Sequence, residues 1–374
     1  MMKKSILAIS LMSVLCSGVA SANLHINGFA SIKGGMSTGS DKSLYGYTNE
    51  WDFKNESLFA IQVRSDLGDR LSVTAQLMGR GSNDFDARFE WAFLSYELTD
   101  NMTFNAGRLR TPFYIYSEFM DVGYAYEWSR VPRSVYGLGF DNIEGVSLYR
   151  TDQLGQFDST LQLVYGSFDG EAGFGPTQLQ NLAGLSWQLG QDWYSFRAAY
   201  FSAKVTIDTL ALNPLLDGLA GAGLGALVRE MNFDDDKGTF FGLGLTVDRE
   251  NLIAVAEYNK VDVSGSLFAK RTNYFVSVGY RINEYTPFIS YESVDRKAKS
   301  DIYQPFLPVL PSPGLRELVV GTIESQAAKT NTVNLGLRYD FHPSAAFKAQ
   351  YSSEKNKISD QRNDALVVGV DIVF

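Results

Sequence analysis

The sequence predicts an all-β fold, a 16-stranded antiparallel transmembrane β-barrel, and three observations carry that reading. From residue 23 to the end, apolar residues alternate at period two with small or polar ones, in runs of about ten residues. Short connections between runs alternate strictly with long ones, so every strand reverses and the two ends of the structure differ. The face opposite each apolar stripe is rich in Gly, Ser, Asn, Arg and Asp. A soluble sandwich hides its apolar faces in a shared core and does not sort its connections by length. A barrel with lipid outside and water inside does both things seen here.

Composition narrows the field in the same direction. The chain has 374 residues with a net charge of −9, 34 Gly, 25 Phe, 20 Tyr, 10 Pro and one Cys. So many aromatics exclude disorder, and a single Cys excludes a disulfide scaffold. A mean hydropathy of −0.11 with charges spread throughout argues against a helical membrane protein.

Residues 1–22 read as a cleaved signal peptide. Lys3 and Lys4 form a positive start, Ile6 to Val19 an apolar core, and Ala20-Ser21-Ala22 a small-residue cleavage site. Cys16 falls within it, and the bulky Leu15 before it argues against a lipoprotein anchor. The mature chain, 23–374, would be a single barrel domain without cysteine, carrying 31 bases against 42 acids, a net of −11. An acidic exported chain is a poor nucleic-acid partner.

Sixteen runs follow: 24–39, 56–67, 70–81, 88–99, 102–113, 142–152, 155–168, 181–190, 192–207, 238–248, 251–264, 270–282, 285–297, 329–341, 345–357 and 364–374. The last is the clearest, with Leu366, Val368, Val370, Ile372 and Phe374 on one face and Ala365, Gly369 and Asp371 on the other. Tight gaps fall at Gly68-Asp69, Asp100-Asn101, Leu154, Gln191, Glu250, Asn283-Glu284 and His342-Pro343, whereas three of the other gaps run to about thirty residues. An even strand count places both ends of the barrel on the short-turn side. Leu210 to Val228 is apolar enough to suggest a membrane helix. Asn213, Pro214, Asp217 and four glycines within it instead suggest a loop with a short helix, or a plug over the pore mouth. The Pro-rich stretch 305–313 is a loop that cannot continue a strand.

Sixteen strands leave an aqueous channel rather than a filled core. With the apolar face toward lipid, Arg64, Arg80, Arg88, Arg197, Arg281, Arg338 and Lys348 line the pore, as do Glu257, Glu292, Asp340 and Asp371. Arg108 and Arg110 are placed with them. Arg108 is awkward: strict alternation from Phe104 and Ala106 sends it outward, about six residues from the short-turn end, where a lipid-facing Arg costs roughly 2–4 kcal/mol. A bulge at Gly107 would turn it into the pore, and a subunit interface supplying an acid would satisfy it outside.

The stretch 107–136 is the most informative. It reads Gly107-Arg108-Leu109-Arg110-Thr111-Pro112-Phe113-Tyr114, then continues through Glu118, Asp121, Tyr124, Tyr126, Glu127, Trp128, Arg130, Pro132, Arg133 and Tyr136. A Gly-Arg element running into Pro-Phe and an aromatic, acid-bearing loop resembles Gram-negative outer-membrane porins, especially the group related to general and phosphate-selective porins. The resemblance also covers the strand layout and the terminal Phe374. It implies that loop 114–141 folds inward and narrows the pore, with Glu118, Asp121 and Glu127 facing arginines across it and Arg130 and Arg133 at the same level. Such a transverse field sorts solutes by charge. It further implies passive diffusion of small hydrophilic solutes and ions, an outer-membrane lipid environment, a homotrimer, and an assembly signal at Phe374. The dense Arg and Lys clusters of a dedicated phosphate channel are missing.

Other classes fare poorly. Catalysis lacks a placed base, since the only histidines, His25 and His342, fall on the short-turn side. No metal or cofactor is expected: the acidic run Asp234-Asp235-Asp236 has Leu245 where a calcium loop needs Glu, and the Gly-x-Gly pieces lack a βαβ setting. The alternative on the same barrel is a substrate-specific channel or an adhesin, with loops 208–237 and 298–328 as recognition elements.

Overall fold

The computed structural model describes residues 23–39, 42–173 and 175–374. The expected signal peptide, 1–22 with Cys16, lies outside the described residues. The strands are β1 (Asn23–Ser37), β2 (Leu58–Gly68), β3 (Leu71–Arg80), β4 (Ala87–Thr99), β5 (Met102–Arg110), β6 (Asn142–Leu154), β7 (Phe157–Glu171) and β8 (Pro176–Gln191). They continue as β9 (Tyr194–Ile207), β10 (Asp236–Arg249), β11 (Leu252–Val263), β12 (Lys270–Tyr280), β13 (Tyr285–Lys297), β14 (Ala328–His342), β15 (Ala345–Asn356) and β16 (Arg362–Val373). Each pairs antiparallel with its sequence neighbours, and β1 pairs with β16 to close the barrel. Among the described residues no helix is long and apolar enough to cross a membrane; the strands are the spanning elements.

Alternation sets the two faces. Ile32, Phe104, Tyr165, Val276, Ile289 and Leu335 are exposed on the outer surface. Ser31, Ser147, Ser186, Glu257 and Gln350 are buried on the inner one. Exposed apolar side chains in so regular a band are what a lipid-facing wall requires. The short connections fall where the sequence places them. Between β2 and β3, Asp69 and Arg70 both adopt left-handed backbone (φ 50° and 65°), the geometry that matches a two-residue turn to strand twist.

Of the register shifts between strands, two bear on the alternating pattern. Opposite Gln76 and Leu77 the pairing of β4 jumps from Trp91 to Phe89, leaving Glu90 as an extra residue, and this bulge buries its carboxylate. In β8 the pairing jumps between Gln180 and Ala183, with Asn181 at φ 51°. The strand therefore begins at Pro176, five residues before the alternation becomes readable at 181.

The seam between β1 and β16 is finished by Phe374, whose N–H donates to the Gly28 carbonyl at 2.9 Å and whose carbonyl accepts from the Gly28 N–H at 2.7 Å. Its ring stacks on Phe59 at 5.8 Å over the space where a Cβ on Gly28 would stand only 2.4 Å from ring atoms.

The long connections carry their own structure. The segment 208–235 holds α1 (Asn213–Gly221) and α2 (Gly225–Met231), and 298–327 holds α3 (Pro313–Glu324). Pro313 opens α3 after the cap Ser312, whose hydroxyl accepts from the Leu315 N–H at 3.2 Å. Leu219, Leu227 and Met231 from the first segment and Val319 and Ile323 from the second are fully buried. They share one cluster with Phe113 and Tyr136 of segment 111–141 and with Phe201 and Phe240 of the wall. The apolar stretch Leu210 to Val228 is thus two short helices packed at the long-loop end.

Candidate functional site

Segment 111–141 leaves β5 and is tied to inward-facing side chains around much of the barrel. At its start the Arg197 guanidinium (β9) donates to the Pro112 carbonyl. The Ile115 N–H donates to Glu257 of β11 at 3.0 Å, and the Tyr136 hydroxyl donates to the same carboxylate. Trp128 Nε1 donates to Ser277 of β12 at 2.8 Å, the Ser134 N–H to Glu292 of β13 at 3.2 Å, and the Ser129 N–H to Gln350 of β15 at 3.0 Å. Lys348 Nζ, buried on β15, donates to the carbonyls of Gly123, Tyr126 (2.6 Å) and Trp128 (2.8 Å). Its charge is met by Asp371 at 3.0 Å, which Lys33 approaches at 3.6 Å. Backbone groups away from strand ladders need such partners, and the wall supplies them.

The acids of the segment have distinct surroundings. Asp121 lies between Arg80 at 2.9 Å and Arg110 at 2.7 Å. Burial works to raise its pKa, but the two guanidiniums outweigh it and hold the carboxyl below the ordinary range. Its partners stand on β3 and β5, beside the root of the segment and not across the pore, because the Glu90 bulge gathers both arginines there: Arg80 bonds Glu90, and Arg110 is 3.7 Å from it. Glu118 is exposed to the lumen yet surrounded by the wall, and that enclosure raises its carboxyl despite Arg197 and Arg110 nearby. Glu127 lines a cavity of about 560 Å³ toward the short-turn end, with Arg281, Arg338, Asp248 and Asp340. Arg281 pairs there with Asp248 at 2.6 Å, and Arg338 with Asp340 at 2.8 Å.

Arg130 and Arg133 are engaged elsewhere. Arg130 is buried and grips Glu56 of the first loop through two bonds, 2.6 and 2.8 Å, with its guanidinium 4.0 Å from the Tyr45 ring. Arg133 reaches Glu56 at 3.4 Å. These arginines join segment 111–141 to the first loop. Glu56 shows the signature: burial opposes its ionisation, but Arg130 and its neighbours lower its pKa.

Of the remaining arginines, Arg64 pairs with Asp66 at 3.4 Å near the short-turn end, and Arg88 is exposed at the start of β4, opposite inward-facing Met78. Arg108 departs from the pore-lining expectation. Pairing of β5 with β4 and with β6 runs unbroken through Gly107, so no bulge turns the side chain inward, although Gly107 adopts φ +139°. Arg108 remains on the outer face and forms an ion pair with Glu144, its direct neighbour on β6.

Sequence reasoning missed Lys33, Glu56, Glu90 and Asp248. The signal for Lys33 was present, since alternation in β1 places it inward with Ser31. Glu56 and Glu90 gave none, one lying in a loop and the other on a bulge. Among the described residues no three His, Cys, Asp or Glu side chains converge as a metal site would need. Asp235 of the acidic run is paired with Lys204.

A family model described as Gram-negative porin matches residues 8–371. The chain belongs to that family. Solved structures agree in fold. The outer membrane channel DcaP of Acinetobacter baumannii superposes with a TM-score of 0.60 at 12% identity, covering 96% of this chain and 99% of its own. The anion-selective porin of Comamonas acidovorans gives 0.59 at 12%, with 95% and 100% covered. A trimer form of in-vitro folded OmpT of Vibrio cholerae gives 0.54 at 13%, with 94% and 99% covered. No curated protein sequence matches the chain. This porin is an outer-membrane channel for passive diffusion, and its family is one of channels, not enzymes.

Proposed function

We propose that segment 111–141 narrows the pore and that Glu118 and Glu127, facing Arg197, Arg281 and Arg338, create the transverse field that sorts small hydrophilic solutes and ions. The observation that supports this is the set of bonds from the segment to inward-facing groups of β9, β11, β12, β13 and β15. Asp121, Arg110 and Arg80 form the lock at its root, and Arg130 with Arg133 couples it to the first loop. Preorganised charges in a narrow aqueous pore act over distances at which bulk water would screen them.

Residues 1–22 are the cleaved leader in this reading, and 23–374 the mature barrel in outer-membrane lipid. The mature barrel assembles as a homotrimer. An outward ion pair such as Arg108–Glu144 is costly against lipid, and a subunit boundary would cover it; the OmpT relative is described in a trimer form. Phe374, holding the β1–β16 seam, serves as the assembly signal.

Purified protein in a planar lipid bilayer tests the pore assignment. Discrete conductance steps are expected, with a reversal potential in a salt gradient that shifts when Glu118, Asp121 and Glu127 are neutralised together. Unchanged selectivity and conductance in that triple variant would remove the narrowing role from this segment while leaving the barrel intact.

A further inference from the structure

The cavity of about 560 Å³ toward the short-turn end is lined by three carboxylates, Glu127, Asp248 and Asp340, and by two guanidiniums, Arg281 and Arg338. Both guanidiniums are committed to neighbours in the protein. Arg281 grips Asp248 through two bonds, 2.6 and 2.7 Å. Arg338 pairs with Asp340 at 2.8 Å and donates to the carbonyls of Tyr124 (2.8 Å) and Tyr126 (3.1 Å). Among the described residues Glu127 has neither a hydrogen bond nor an ion pair. The lining therefore carries one negative charge that no cation of the protein meets directly.

The same cavity has an apolar part, which a water-filled lumen does not require. Phe119, on the same segment as Glu127, lines it and is 52% exposed. Ile253 and Val255 of β11, in step with inward-facing Glu257, line it as well. Tyr116 completes this surface, its ring held edge-on to Trp128 and Tyr126 at 5.6 and 5.9 Å, so part of it is fixed before any solute arrives. Apolar and aromatic side chains with a few placed polar groups, around a space of about 300–1,000 Å³, are the ordinary form of a small-molecule site.

We propose that this cavity binds a monovalent organic cation with an apolar body, an arylalkyl ammonium, its ammonium against Glu127 and its ring against Phe119. The ammonium gains a charge-assisted hydrogen bond from a carboxylate that has no other partner, and the ring covers apolar surface that is otherwise wet. An anion of the same shape meets Glu127 with both guanidiniums already engaged, and a small cation without a ring leaves Phe119 in water. This assignment deepens the diffusion-channel reading by naming a class of solute, and it rests on that reading only for the route by which the solute arrives.

The test uses the full protein in planar bilayers bathed in potassium chloride, with phenethylammonium, ethylammonium, phenethyl alcohol and phenylacetate as probes. Phenethylammonium should interrupt the current saturably at concentrations at least tenfold below any effect of the other three. Glu127→Gln should weaken phenethylammonium at least tenfold. Phe119→Ser should remove its advantage over ethylammonium while ethylammonium itself acts as before, which loss of a diffuse attraction for cations would not do. Equal action of phenethylammonium and ethylammonium, or an undiminished effect in either variant, would overturn the proposal. Crystals of the unaltered protein soaked in 4-bromophenethylammonium give a readout that needs neither a variant nor conductance: bromine beside Phe119 supports the site, and bromine elsewhere or nowhere overturns it. Absence of potassium chloride current from folded protein would instead overturn the channel reading.

Discussion

Replacing Lys348 by Met should release segment 111–141 while the barrel stands. The ammonium donates to three backbone carbonyls, those of Gly123, Tyr126 and Trp128, and its removal leaves all three without that donor. Each lost bond costs about 1–3 kcal/mol when the acceptor stays buried. Lumen water can reach part of this region, so the low end applies, roughly 3 kcal/mol over the three bonds. That raises the ratio of released to docked segment about 150-fold, at about 1.4 kcal/mol per factor of ten. Asp371 stays compensated, since Lys33 lies 3.6 Å away and the Ser31 hydroxyl donates to it at 2.5 Å. The damage should therefore be confined to residues near 123–130. Hydrogen exchange read by mass spectrometry should show protection there falling by about two orders of magnitude while the strands keep theirs, and single channels should become noisier and wider. Lys348→Arg, which keeps a donor, should sit between the two. A folded Lys348→Met barrel with native exchange and native conductance would refute the reasoning.

Neutralising Glu118 and Glu127 to Gln should move the reversal potential in a salt gradient toward anions, and neutralising Arg197, Arg281 and Arg338 should move it toward cations; no movement in either set would remove both from the selectivity field. Glu144→Leu alone, which leaves Arg108 as an unpaired outward charge, should cost roughly 2–4 kcal/mol of barrel stability, and Arg108→Leu, which leaves Glu144, should cost less. The double substitution should restore barrel stability but weaken association between copies, as read by native electrophoresis and denaturant titration. Burial pushes the Asp141 carboxyl up from 3.8 to about 6, against the pull of Arg110. Its charge therefore disfavours the fold above pH 6, and the penalty fades as pH falls toward 3.8. Asp141→Asn should be more stable than the parent at pH 7, with that margin shrinking through pH 6 to 4 in urea titrations; a margin constant with pH would contradict the assignment.

The strand count and the short turns were legible because a wall one residue thick must alternate, and Leu366, Val368, Val370 and Ile372 do so without a break. The same rule located Arg197, Arg281 and Lys348 on the inside. Bulges lay beyond it: one extra residue at Glu90 reverses a face, and the pairing jump after Gln180 hid the first five residues of β8. Alternation also assumes that one face is always wet. Near the long-loop end of β9 to β11 both faces are apolar, since Phe201, Val205, Phe240 and Val261 pack against loops and helices that local sequence cannot place beside them. Long-range pairing was likewise invisible. Arg130 and Arg133 carry charge suited to a pore, but Glu56, more than seventy residues earlier, claims both.

The seam at Gly28 and Phe374 bears on how the barrel comes into being. It joins backbone groups 346 positions apart, so among the strand contacts of the described residues the one that completes the sheet carries the largest loop-closure entropy. Pairings such as β2 with β3 are local and can form early, whereas topologies closed by distant partners form slowly. Until that last contact is made, β1 and β16 each present an unsatisfied edge to any other extended chain. The open-sheet stage is thus the interval in which this protein is most exposed to aggregation, and a chaperone that covered either edge until closure would protect it.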